Sequence, residues 1–224
     1  MLVTGATGVL GQGIAELLRP SVRLTVTGRD QDRLAAASAP TDLAVAADLA
    51  RSNAAPELID SAMAAYGDLD GIVVASGAVA FGSVEDTTDD VSIRLFTINT
   101  LAPMRLLRAA LPALRRSAEQ GRSPYFCAIS AVVAEHPVAG MPAYSASKAA
   151  LSAHLAAARR EVRRQGIRVI DVRPPHTETG LPERAIAGTA PQLPIGLDPS
   201  AVCTRIVAAI HNGETEVAAA EFAS

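Results

Sequence analysis

Tyr144 and Lys148 stand four residues apart in "AYSASKAAL", a spacing that stacks both side chains on one helix face and points them into one cleft. A phenol that titrates near about 10 in water is a weak acid at neutral pH. A neighbouring ammonium favours the phenolate and brings the hydroxyl nearer to useful general-acid strength. Such a pair suits protonation of a carbonyl oxygen. That chemistry asks for a third group to polarise the oxygen, and the run upstream, "CAISAVV", offers Ser130 followed by Ala131. In an unbroken strand register Ser130 points away from the cleft; if the strand ends at Ile129 or carries a bulge, Ser130 swings into the oxyanion position. A tyrosine and a lysine four apart also arise often by chance, so the pair gains meaning only from the elements around it.

Those elements alternate. Short apolar runs at 2–4, 22–28, 41–49, 69–77, 125–131, 167–174 and 215–220 are separated by Ala/Leu-rich helical stretches near 10–19, 30–38, 53–66, 84–118, 142–165 and 198–211. Strict alternation implies right-handed crossovers and a parallel sheet. The expected architecture is α/β: a Rossmann-type, doubly wound, seven-stranded parallel sheet with helices on both faces, spanning 1–224 as a single domain. In the helix that carries the pair, Leu151, Leu155, Ala158 and Val162 form an apolar stripe, and Gly166 supplies the stop. No repeat or linker divides the chain, and the Pro/Gly/Thr-rich stretch 174–199 reads as a substrate loop. With the residues after Gly77 it should wall a pocket, using Val79, Phe81, Leu181, Ile186, Leu193 and Ile195, with His136, His176 and Glu178 at its rims.

The first strand feeds "TGATGVLGQG", with Gly5, Gly8 and Gly11 three apart. A backbone that turns sharply, approaches a pyrophosphate and presents helix N-terminal amides to it needs residues without side chains there. A tight turn with close helix packing needs the same residues; position in the first βα unit favours the dinucleotide. Gly5, Thr7, Gly8, Val9, Leu10 and Gly11 would then line the phosphates, and a cationic nicotinamide ring would help Lys148 acidify Tyr144. The second strand ends in "VTGRD", where Arg29 suits a 2′-phosphate better than a 2′-hydroxyl. NADP(H) is therefore expected over NAD(H), although Asp30 could be taken for the acidic residue of an NAD site. Asp48 and Leu49, at the end of the third strand, face the adenine edge or cap the next segment.

Composition excludes other classes. Twenty basic residues against 23 acidic ones give a formal charge of −3, so no whole-protein field gathers nucleic acid or anionic membrane. Cys127 and Cys203 are far apart without metal spacing, and the chain opens on "MLVTG" without a basic leader; a reduced, cytoplasmic setting is expected, with no metal. Every apolar run is interrupted before the roughly 18 residues a membrane span needs. The first strand begins at the initiator Met, so the sheet is shortened there or the true start lies upstream.

With its motifs in this order, the chain resembles the short-chain dehydrogenase/reductases over nearly its whole length. "YSASKAAL" fits their Y-x-x-x-K signature. "FTINTLAPMRLLRAALPAL" looks like their helix bearing a functional asparagine, here Asn99. "RPPHTET" is similar to the segment that holds the nicotinamide end, mapping to Pro174, Pro175 and Thr179. The resemblance implies that a small carbonyl substrate and its secondary alcohol are interconverted by hydride transfer, with Tyr144 as acid/base. Asn99 would fix a water in a relay to Lys148, Lys148 would also hold the nicotinamide ribose, and Gly77 would approach the cofactor. It further implies a homodimer or homotetramer formed through the two long helices. Four departures stand against a simple transfer: Val9 where one branch of the family has glycine, "VASG" for its Asn-Asn-Ala-Gly, Pro175 for a glycine, and Ala131 thirteen residues before Tyr144, where the serine belongs. Ser130 is the provisional polariser. The alternatives are a cofactor-binding sensor or assembly subunit of the same fold and, from the glycine spacing alone, a sugar-nucleotide epimerase, which usually needs a longer chain.

Overall fold

The computed structural model describes residues 1–222. It contains strands β1 (Leu2–Thr4), β2 (Thr25–Gly28), β3 (Leu43–Ala46), β4 (Gly71–Val74), β5 (Tyr125–Ile129), β6 (Arg168–Val172) and β7 (Glu216–Val217). Helices α1 (Val9–Leu18), α2 (Gln31–Ala37), α3 (Ala54–Tyr66), α4 (Asp89–Phe96), α5 (Ala102–Glu119), α6 (Pro142–Val162) and α7 (Pro199–His211) separate them. The strands form one sheet in the order β3-β2-β1-β4-β5-β6-β7, parallel throughout. This is the expected doubly wound Rossmann-type sheet. The chain reverses its direction of winding between β1 and β4, which opens a crevice at their carboxyl ends.

Burial on both faces explains the continuous apolar runs. Along β5, Phe126 and Ala128 pack with Leu106, Leu114, Leu151 and Leu155 of α5 and α6. Cys127 and Ile129 pack on the other face with Ile14, Leu18, Ile206 and Ile210 of α1 and α7. The same alternation carries Ser130 toward the α6 face, with consequences described below.

The long helix expected over 84–118 is interrupted. Ser83 to Thr88 form a turn in which Thr87 Oγ1 donates to the Ser83 carbonyl, and Thr88 caps α4 by accepting from Val91 N. Between α4 and α5, Thr97–Leu101 form a π turn. Pro103 follows Asn99 by four residues and has no N–H, so the Asn99 carbonyl cannot make its α-helical bond. A wider turn at that point is the usual outcome, and π turns cluster at functional sites.

Candidate active site

The β1–α1 turn is as tight as its glycines allow. Gly5 has φ +70, a Cβ there would lie 2.7 Å from Ser76 N, and one on Gly11 would lie 2.2 Å from the Gly5 carbonyl oxygen. Helix α1 begins after Gly8 with no side-chain cap, leaving first-turn amides to a ligand at the carboxyl edge of the sheet. Thr7 packs onto Gly28, where a Cβ would meet its Cγ2 at 2.6 Å. Val9 is exposed at the rim and Leu10 packs inward.

Beyond β2, Arg29 is exposed, whereas Asp30 accepts from Arg33 N as the N-cap of α2. One oxygen of Asp30 is thereby engaged at the N-terminus of α2. Arg33 was not singled out by its sequence context, yet its Nη2 donates to the Thr7 carbonyl at 3.1 Å, which lays a second guanidinium over the glycine turn. Beyond β3, Asp48 Oδ1 accepts from Ala50 N at 3.1 Å. This bond closes a local turn at the carboxyl edge of the sheet, and Leu49, partly buried, packs against the core.

The π turn and α6 bring Asn99, Tyr144 and Lys148 together. Asn99, 1% exposed, accepts from Ala78 N at 2.9 Å and donates to the Ala78 carbonyl at 2.9 Å and to Ser147 Oγ at 3.0 Å. Ser147 Oγ donates in turn to the Tyr144 carbonyl at 2.8 Å, and Thr100 Oγ1 donates to the Ser147 carbonyl. Ser147 was missed from the sequence because its importance lies in a partner 48 positions away. Lys148 Nζ donates to the Ile129 carbonyl at 2.9 Å. A Cβ on Gly77 would stand 3.4 Å from Asn99 Oδ1 and 3.5 Å from Lys148 Nζ. Burial pushes the Tyr144 phenol up to about 12 and the Lys148 ammonium down to about 8, the latter opposed by the charge of Asp171. Lys148 is also the only lysine among the 20 basic residues, a signal of a specialised position that composition alone could have raised.

Ser130 does not enter this cleft. It is 2% exposed and its Oγ donates to Asp171 Oδ1 at 2.5 Å and to the Val172 carbonyl at 3.3 Å. The reading of Ser130 as polariser is thus corrected: β5 does end at Ile129, yet Ser130 keeps the strand's alternation and a carboxylate on the neighbouring strand holds its hydroxyl away from the cleft. Ala131 instead packs its methyl against the cluster that contains Tyr144, Val133 and Phe81.

A family model described as short chain dehydrogenase matches residues 1–188. The chain belongs to the short-chain dehydrogenase/reductase family. Its relatives include the dehydrogenase/reductase SDR family protein 7-like of Drosophila melanogaster, 28% identical over 237 residues that cover 97% of this chain and 71% of the relative. The dehydrogenase/reductase SDR family member 7B of Bos taurus is 27% identical over 241 residues, covering 99% and 73%. Among solved structures, a short-chain dehydrogenase from Streptomyces avermitilis superposes with a TM-score of 0.84 at 28% identity, over 97% of this chain and 86% of that one. One from Sphingobium yanoikuyae, in complex with NADPH, gives 0.84 at 26% identity, with coverage of 97% and 86%. As a short-chain dehydrogenase/reductase the protein is an oxidoreductase that binds a nicotinamide dinucleotide. Its own residues fit such a group: the uncapped α1 N-terminus, the side-chain-free turn at Gly5, Gly8 and Gly11, and the space that a Cβ on Gly77 would fill.

Where this short-chain dehydrogenase/reductase departs from its family, the structure shows partial substitutes. In "VASG", Ser76 Oγ and Thr4 Oγ1 share a hydrogen bond of 3.0 Å, which ties the ends of β4 and β1 across the crevice. Pro174 accepts from Val132 N at 3.0 Å, and the Pro175 carbonyl accepts from Thr177 Oγ1 at 3.0 Å. Thr179 N donates to the Thr177 carbonyl, which places Thr179 at the start of the substrate loop.

That loop straps down onto the residues after β4. Ile186 N donates to the Val79 carbonyl and Phe81 N to the Ala187 carbonyl, and a Cβ on Gly188 (φ +71) would meet the Phe81 carbonyl oxygen at 1.9 Å. Val79, Phe81, Leu181 and Ile186 therefore join the wall as expected. Ile195 does not: it is 97% exposed, because Gly196 N and Leu197 N are held back by the Glu178 carboxylate and the His176 carbonyl. His136 is exposed, and His176 lies 3.5 Å from Glu178. Phe81 also borders a cavity of about 390 Å³ with Asp86, Thr87, Val91 and Gly188. No helix among the described residues is long and apolar enough to cross a membrane.

Proposed function

We propose that the protein is an NADP(H)-dependent reductase that interconverts an apolar ketone and its secondary alcohol, with Tyr144 as general acid/base. The observation that carries this reading is the interlocked set of Asn99, Ser147, Tyr144 and Lys148 around Gly77. The dinucleotide supplies or accepts the hydride. Gly5, Thr7, Gly8, Val9, Leu10 and Gly11 would hold its pyrophosphate, Asp48 and Leu49 its adenine side, and Gly77, Pro174, Pro175 and Thr179 its nicotinamide side. Arg29, with Arg33 beside it, suits a 2′-phosphate, and the NADPH bound by the Sphingobium yanoikuyae relative supports that preference.

Tyr144 gives its proton to the carbonyl oxygen in reduction and takes one back in oxidation. In the loaded cleft a charged Lys148 would oppose the effect of burial on the phenol and return it toward useful acidity. Asn99 has committed its side chain to Ala78 and Ser147, so its part is to hold the π turn; its carbonyl, denied an α-helical donor by Pro103, suits a relay water. The walls offered by Val79, Phe81, Ala131, Val133, Leu181 and Ile186 are uncharged, which favours apolar flanks on the carbonyl. The protein is further proposed to act in a reducing, cytoplasmic setting, with both cysteines free, and to pair through α5 and α6 as a homodimer or homotetramer.

A second reading is favoured by one observation. With a methyl at Ala131 and Ser130 bound to Asp171, the substrate oxygen has Tyr144 as its donor and lacks the polarising serine. A slow enzyme or a cofactor-binding sensor would result. Titration of NADPH and NADH by cofactor fluorescence, followed by NADPH oxidation over a panel of apolar ketones, separates the two. Turnover abolished by Tyr144→Phe with NADPH affinity retained supports the reductase. Binding without turnover, indifferent to Tyr144→Phe, supports the sensor.

A further inference from the structure

We propose that Asp171 is a positioning residue for Lys148: a buried carboxylate on β6 whose uncompensated charge keeps the chain's only lysine in its ammonium form against the Ile129 carbonyl. The inference rests on the reading of the Tyr144–Lys148 cleft given above.

Asp171 is 1% exposed and all its partners are side chains that converge from three elements. Oδ1 accepts from Ser130 Oγ at 2.5 Å, and Oδ2 accepts from Ser152 Oγ at 2.5 Å and from Arg173 Nη1 at 2.8 Å. Two of those partners adjoin the anchors of Lys148. Ser130 shares a peptide bond with Ile129, whose carbonyl receives Lys148 Nζ. Ser152 lies one helical turn beyond Lys148 on the same face of α6. The carboxylate therefore clamps both the acceptor of the lysine and the helix that bears it.

The charges around it do not balance. Arg173 pairs with Asp171, Glu135 and Glu216, and Arg159 pairs with Glu216. Three carboxylates face two guanidiniums, so one negative charge is left over beside the cleft. Lys148 is the cation it reaches: burial lowers the ammonium to about 8, and Asp171 acts against that fall. The other groups beside Lys148 are uncharged: Tyr144 one turn back on α6, Asn99 from the π turn and Gly77 after β4, while Glu135 and Arg173, farther out in the network, pair with each other. A buried lysine without a counter-charge can titrate as low as about 5–6, and a neutral amine would no longer acidify Tyr144 or bind a ribose hydroxyl as a charged donor. Burying the network costs desolvation, and keeping Lys148 charged gives that cost a function.

Because Lys148 is unique, protein grown on lysine labelled with ¹³C at Cε gives one side-chain resonance, whose chemical shift against pH reads its titration directly. The wild-type midpoint is expected near 8, and a midpoint below about 6.5 would overturn the proposal, since no counter-charge would then be at work. Asp171→Asn should lower the proton affinity of Lys148 at least tenfold, and an unmoved midpoint overturns the proposal. Arg173→Gln should move it the opposite way, at least threefold upward, by leaving Asp171 less compensated. Opposite shifts distinguish charge from loosened packing, which would move both variants alike; if Asp171→Asn does not fold, the Arg173→Gln shift decides alone. In turnover, the deficit of Asp171→Asn should shrink as pH is lowered and the ammonium returns. The resonance does not depend on turnover, so a protein that reduces no ketone would sink the catalytic reading while the Asp171–Lys148 coupling is still measured.

Discussion

The two walls of the cleft are built by opposite rules. On the α6 side, Ser147 binds Asn99 of the π turn and the Tyr144 carbonyl, Lys148 binds the Ile129 carbonyl of β5, and both amide hydrogens of Asn99 are spent. At the end of β5, Ala131 brings a bare methyl to the cluster that contains Tyr144, and the hydroxyl of Ser130 is turned to β6. One wall carries the proposed proton donor, held through the backbone of its helix, whereas the other supplies shape. A reductase can run on the first wall alone, though slowly, because proton donation and oxygen polarisation lower the barrier separately.

The largest expected effect comes from giving the second wall what it lacks. Ala131→Ser should raise the rate of ketone reduction by about 10²-fold or more, the reverse of removing one oxyanion donor. No gain in kcat would show that the β5 wall is closed to the substrate oxygen. Breaking the first wall should show in stability. Asn99→Ala strands the buried Ala78 N–H and carbonyl and should cost about 2–4 kcal/mol, measured by urea unfolding; Asn99→Asp, which keeps an acceptor for Ala78 N, should recover part of it. A smaller effect is expected where the cofactor enters. Arg29→Ala combined with Arg33→Ala should weaken NADPH about tenfold relative to NADH in paired fluorescence titrations, because a 2′-phosphate loses both guanidinium partners. Equal loss for both nucleotides would show that Arg33 serves the Thr7 turn and not the phosphate.

The smallest effect concerns pH. Burial raises Cys127 to about 12 and Cys203 to about 11, above an ordinary thiol value of 9.0. The unfolded chain then loses these protons first, so their stabilising contribution is complete below pH 9 and is lost as pH rises toward 11 and 12. Lys148 runs the other way, because the unfolded lysine, at 10.5, holds its proton longer than the folded one, at about 8. Its burial penalty is relieved as pH rises between those values. Thermal melts should therefore show a shallow change between pH 8 and 9 and a clear decline above 9; Cys127→Ala should soften the decline.

The sheet was readable in the sequence because β1, β2, β4, β5 and β6 are buried on both faces and so read as apolar runs; all seven strands lie within the expected runs. The glycine turn and the Tyr144–Lys148 pair are local patterns, and they too could be read. What was hidden depends on distant partners. The direction of Ser130 is decided by Asp171, 41 positions later. The tightness of Asn99 is decided by Ala78 and Ser147, and the exposure of Ile195 by Glu178. The π turn was legible in principle, since "NTLAP" puts Pro103 where the Asn99 carbonyl needs a donor, but a helix-period reading passes over a single widened turn.

A lysine-directed protease has one peptide bond to cut in this chain, after Lys148, in the middle of α6 and 5% exposed at its side chain. The folded protein should resist such an enzyme, and each opening of α6 long enough to admit it should yield the same two pieces, 1–148 and 149–224. The rate at which they accumulate would count how often this wall of the cleft comes apart, with no label and no substrate.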